Sequence, residues 1–87
     1  MSLDTLLEFP CEFPIKVFGS AEGDFAASVE AAVRLAAPEL EDLSVAVRAS
    51  GGGRFVAVTV TIMASSQAQI EAIYQSIGAL PGVLMVL

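Results

Sequence analysis

Histidine is missing from this 87-residue chain, and cysteine occurs once, at Cys11. Without histidine there is no imidazole for acid–base work, no His-based catalytic triad and no ordinary zinc site. A single cysteine rules out an intrachain disulfide. Cys11 has neither a histidine partner nor a flanking cation, so it reads as an incidental thiol. Lysine and arginine are equally scarce. Four cations stand against ten carboxylates, for a net charge of −6. Nucleic-acid affinity depends on clustered Lys and Arg, and four cannot form a basic stripe. The same balance opposes adhesion to anionic lipid.

Long hydrophobic runs are lacking as well. The most apolar stretch, 55–70, is broken by Thr59, Thr61, Ser65, Ser66, Gln67 and Gln69. A spanning helix needs about 20 consecutive apolar residues. The opening MSLDTLLEFP has no basic region and no long apolar core, so it does not read as a signal peptide. A cytoplasmic protein is expected, with no membrane or nucleic-acid partner and no cofactor.

What is present is a strong two-residue period. In 44–66, Val45 and Val47 alternate with Ala46 and Arg48. After Gly51-Gly52-Gly53, Val56, Val58, Val60 and Ile62 alternate with Ala57, Thr59 and Thr61. β-Branched residues at period two indicate half-buried antiparallel strands. Three glycines between them supply the positive φ angles of a hairpin.

The rest of the chain can be placed against this hairpin. Residues 1–12 read as a flexible N-terminal arm, and 13–87 as one domain. Phe13 to Phe18 forms the first strand, with Phe13, Ile15 and Val17 on one face and Pro14, Lys16 and Phe18 on the other. Gly19 ends it, and Ser20 or Gly23 falls near the cap of a helix from about Asp24 to Ala37. Phe25, Val29, Ala32, Val33 and Ala36 make its apolar stripe. Glu30 and Arg34 pair on its outer face, and Pro38 stops it. Ser66 caps the second helix, with Gln69 at capping-box spacing. Ile70, Ile73, Tyr74, Ile77 and Leu80 form its buried stripe. Pro81-Gly82 turns the chain into a last strand, Val83 to Leu87, which is apolar at both parities.

The order β-α-β-β-α-β predicts an α+β, ferredoxin-like split sandwich. Its four-stranded antiparallel sheet carries two helices on one face, with the second and fourth strands at the edges.

Leu6-Leu7-Glu8-Phe9-Pro10 followed by Phe13-Pro14-Ile15-Lys16-Val17-Phe18-Gly19 resembles the bacterial YbeD-like family. So do Val58-Thr59-Val60-Thr61-Ile62 and the ending Met85-Val86-Leu87. The resemblance covers essentially the whole chain. It implies a small cytoplasmic protein with a fold similar to the ACT regulatory domain and a role near lipoate metabolism. It brings no catalytic residues with it.

Two surfaces are candidates for function. The sheet face left uncovered by the helices would carry Lys16, Phe18, Arg48, Thr59 and Thr61, and suits a partner protein or a second copy. A plain solvated sheet face is the alternative. The loop Gly19, Ser20, Gly23, Asp24 lies where ACT domains hold small effectors, and a helix N-terminus accepts a carboxylate. Glu22 and Asp24 in that loop oppose an anion. An RNA-recognition reading shares the element order, with Phe18 and Phe55 on the central strands. It lacks the aromatic–glycine spacing and the basic charge. Glu39, Glu41 and Asp42 lack the spaced ligands and glycine turn of a cation loop. Glu8 and Glu12 form no acid–base pair within a pocket. The expectation is therefore a non-enzymatic interaction or regulatory domain, self-associating or docking through the open face or an edge strand. The alternative is a small-molecule sensor for an amino acid or carboxylate.

Overall fold

The computed structural model describes residues 8–87. Its elements are β1 (Cys11–Ser20), α1 (Phe25–Ala36), β2 (Leu43–Ser50), β3 (Phe55–Ala64), α2 (Gln67–Gly78) and β4 (Val83–Val86). The strands form one antiparallel sheet in the order β2-β3-β1-β4. This is the ferredoxin-like arrangement expected from the sequence, with β2 and β4 at the edges.

The core follows the two periodicities. Ile15 and Val17 from β1, and Val58, Val60, Ile62 and Ala64 from β3, face the helices and are buried. Phe25, Val29, Ala32 and Val33 meet them from α1, and Ile70, Ile73 and Ile77 from α2. Burial of each such side chain contributes about 1.5–3 kcal/mol relative to exposure. The helices also touch through a polar link, with Ser76 Oγ–H donating to the Ala32 carbonyl at 2.9 Å.

Several boundaries differ from the sequence reading. β1 begins at Cys11, two residues before Phe13, because Ala64 and Met63 of β3 extend far enough to pair with Cys11 and Glu12. Phe9, Cys11 and Phe13 pack against the core. The proposed arm therefore ends sooner than residue 12, and its residues 1–7 lie outside the described ones. β1 also runs on through Gly19 to Ser20. The cap of α1 is neither Ser20 nor Gly23 but Asp24, whose Oδ1 accepts the Ala27 N–H at 3.1 Å.

Gly19 has a packing role. A Cβ built there would stand 2.3 Å from the Phe25 ring, so only glycine lets that ring lie on β1. In the hairpin turn, Gly51, Gly52 and Gly53 all take positive φ, at 60°, 69° and 89°.

β4 settles its own parity through an irregularity. Val86 pairs with Val17 and Met85 with Phe18, but Val83 pairs with Gly19, leaving Leu84 as an extra residue. Val83 and Val86 thus pack on the core while Met85 faces away. A bulge of this kind moves two residues past one and erases simple alternation.

Candidate functional site

Cross-strand pairs share a face, so the register maps the uncovered side of the sheet. One row runs Arg48, Ala57, Phe18, Met85. The next runs Ala46, Thr59, Lys16 and Leu87. Leu87 joins that row through reciprocal bonds: Lys16 N–H donates to its carbonyl at 3.1 Å, and Leu87 N–H to the Lys16 carbonyl at 2.8 Å. A third row holds Ser44, Thr61 and Pro14. All five face residues expected from the sequence, Lys16, Phe18, Arg48, Thr59 and Thr61, lie on this one side.

The face is concave and graded. Small residues at Ala46, Ala57 and Thr59 lower its floor between Lys16, Phe18, Arg48 and Ser50, leaving an open concavity of about 500 Å³. The β2 side carries the arginine. The β4 side is apolar, with Met85 and Leu87 both more than half exposed. Phe18 stands between the two.

Among the described residues, the cations of this face are not internally satisfied. The single ion pair among the described residues joins Arg34 and Glu30 on α1, at 3.0 Å. Arg54 turns back on the hairpin, with its Nε–H reaching the Gly51 carbonyl at 3.5 Å and its guanidinium 6.0 Å from the Phe55 ring centre. Lys16 and Arg48 have no side-chain hydrogen bond or ion pair among the described residues. Among the described strands, Glu12 is the one carboxylate with the same parity, and Asp42, just before β2, borders a shallow concavity with it. Glu12 lies at the far end of β1, opposite Met63.

The loop between β1 and α1 is arranged differently. A concavity of about 310 Å³ is bounded there by Ser20, Glu22, Gly23, Asp24, Phe25, Ser28, Pro81 and Gly82. Ser20 N–H donates to the Gly82 carbonyl at 3.0 Å, holding the loop to the turn before β4. Asp24 places its own carboxylate at the helix N-terminus. A ligand carboxylate would have to displace it and would meet Glu22 beside it.

A third polar cluster escaped sequence reasoning in part. Ser66 Oγ accepts the Gln69 N–H at 3.1 Å, as the capping-box spacing predicted. The reciprocal bond is displaced by one residue, since Gln69 Oε1 accepts from Ser65 N–H at 2.8 Å. The Gln69 amide also donates to Glu39 Oε2 at 2.6 Å, across 30 residues of sequence. That bond holds the Glu39 carboxyl below its ordinary value, with a bond to its own backbone adding to the effect. Glu39 is thereby a structural clamp between the α1–β2 connector and α2. No group of three or more metal-ligating side chains occurs among the described residues. None of the described helices is long and apolar enough to cross a membrane.

With the geometry in place, comparison supplies the relationship. A family model described as a protein of unknown function (DUF493) matches residues 4–87. The chain belongs to the DUF493 family. The DUF493 relatives include a UPF0250 protein of Chromobacterium violaceum, 45% identical over 82 residues that cover 94% of this chain and 92% of that one. The UPF0250 protein NE1487 of Nitrosomonas europaea is 38% identical over the full length of both. This bears out the YbeD-like resemblance. Among solved structures, the solution structure of HP0495 from Helicobacter pylori superposes with a TM-score of 0.77. It covers 93% of this chain and 85% of its own, at 16% identity. At that identity the likeness speaks to the fold alone, and it is consistent with the ferredoxin-like arrangement of this sheet.

Proposed function

We propose that this DUF493 chain is a non-enzymatic, regulatory interaction domain that docks a protein partner through the open face of its sheet. One observation carries the reading. Lys16 and Arg48, the two cations without side-chain partners among the described residues, project from a concave, partly apolar face in a chain of net charge −6. A sheet face kept only for solvation has no need of exposed Met85 and Leu87 beside Phe18. Such a domain works in the cytoplasm, and the lipoate-related role implied by the YbeD-like resemblance is the pathway in which to seek the partner.

The open face is preferred to the Gly19–Asp24 loop because Asp24 already fills the anion position at the head of α1. Edge pairing through β2 remains a secondary route for the same partner, since β2 holds eight residues with no proline and one charge. The test is capture of partners by the tagged full chain from an extract of cells that make it. Ala57→Trp, which fills the floor of the concavity, is run in parallel. Loss of the captured protein with Ala57→Trp is expected. Retention of it would overturn the reading.

A further inference from the structure

We infer that the partner segment is an acidic amphipathic helix, laid across the open face with its carboxylates on Lys16 and Arg48 and its apolar flank on Phe18, Met85 and Leu87. This rests on the open face being the docking surface and names the chemistry that fits it. Three observations lead to it.

The face has a direction. Along the row Arg48, Ala57, Phe18, Met85, the side chains pass from cationic through small to large and apolar. Neighbouring strands lie about 4.8 Å apart, so four strands span about 14 Å. A helix with side chains is about 10–12 Å across, a width this face accommodates. An occupant that matches the row has charge on one flank and apolar groups on the other, the pattern of an amphipathic helix.

Both cations lack side-chain partners among the described residues and border the same floor. The remainder of the chain sets ten carboxylates against Arg34 and Arg54, so away from these two cations the balance of charge opposes an acidic partner. Attraction confined to one face of a repelling molecule gives specificity and orientation. A nucleic acid fits worse. Phe55, the other aromatic on the open side of the central strands, is engaged by Arg54, and two cations neutralise too few phosphates against the overall charge. A small carboxylate fits worse too, because the concavity is broad and open and its floor is built from Ala46, Ala57 and Thr59.

The chain contains one lysine, Lys16. This makes the inference directly testable by zero-length carbodiimide coupling. The partner's carboxylate takes up a proton and adds to the carbodiimide as an O-acylisourea; the Lys16 amine then attacks its acyl carbon, and the urea leaves carrying the amine's proton as the amide forms. The probe is a designed helical peptide with glutamates along one flank and leucines along the other. The control peptide has every glutamate replaced by lysine. The expected result is an amide between Lys16 and a peptide glutamate, mapped by mass spectrometry. Lys16→Arg should abolish the cross-link while keeping the affinity. Lys16→Glu and Arg48→Glu should each weaken binding about tenfold. Affinity should fall as salt shortens the screening length below about 10 Å.

Equal binding of the lysine peptide, no binding of the glutamate peptide, or competition by a short single-stranded RNA would each overturn the inference. So would a Lys16 cross-link to a second copy of this chain. Cell-extract capture separates the two levels of the proposal. A partner lost with Ala57→Trp but retained with Lys16→Glu and Arg48→Glu leaves the open face standing and removes the acidic chemistry. A partner retained with all three variants removes the face itself.

Discussion

At the scale of single residues, two glycines make opposite predictions. Gly19 lies under the Phe25 ring, and a methyl there would stand inside van der Waals distance of three ring carbons. Phe25 is 7% exposed and has little room to retreat. Gly19→Ala is expected to cost about 1–3 kcal/mol through overpacking, read as a lower denaturant midpoint. Gly78 closes α2 with nothing near its missing Cβ and no positive φ. Gly78→Ala is expected to raise stability by about 0.5–1 kcal/mol, because it restricts the unfolded chain and suits a helix. Glu39 gives a pH prediction. Its native carboxyl titrates below the ordinary value because the Gln69 amide bonds the charged form. The stabilisation it supplies is complete above the range where a free glutamate titrates. It is lost as pH falls through the lower native value. The stability gap between wild type and Glu39→Gln should therefore narrow on acidification, which unfolding curves across a pH series would measure. A gap that stays constant with pH would contradict the clamp.

At the scale of elements, local signals and packing agree more often than they conflict. The α1 stripe Phe25, Val29, Ala32, Val33 and the α2 stripe Ile70, Ile73, Ile77 are the buried faces of their helices, as the 3.6-residue period indicates. The conflicts arise where two local devices compete for one position. Ser20, Gly23 and Asp24 all suit a helix cap, and Asp24 wins because Phe25 must begin the helix to reach the core under Gly19. Asp24→Ala is expected to cost about 1 kcal/mol, seen as a drop in thermal midpoint with the sheet unchanged. β2 shows a second conflict. Val45 is partly buried but Val47, at the same parity, is 56% exposed, beside an open concavity that it shares with Phe25 and Ala26 at the start of α1. β4 shows the third, where the extra residue at Leu84 decides which of five apolar side chains turn inward.

At the scale of the whole molecule, structure separates stability from recognition. The fold rests on one apolar layer between sheet and helices, and the charges that would recognise a partner stand on the opposite side. Lys16→Glu and Arg48→Glu should therefore change unfolding free energy by no more than about 0.5 kcal/mol, as exposed substitutions away from packing features do. Their effects on partner binding can then be read without correction for unfolding. A large loss of stability in either variant would mean that these side chains support the fold.

The chain's own order of residues was enough to establish the ferredoxin-like topology, its edges and the five residues that share the open face. Period-two alternation in Phe13–Phe18 and Val56–Ile62 ties each side chain to one side of the sheet, whatever the partner strand. Other features needed the tertiary structure, because they depend on residues distant in sequence meeting in space. Among them are the placing of Leu87 beside Lys16, the bond from Gln69 to Glu39 and the seating of Phe25 on Gly19. The concavity belongs with these. Ala46, Ala57 and Thr59 are unremarkable in sequence, and only the register of three strands sets them side by side as a floor beneath Lys16 and Arg48.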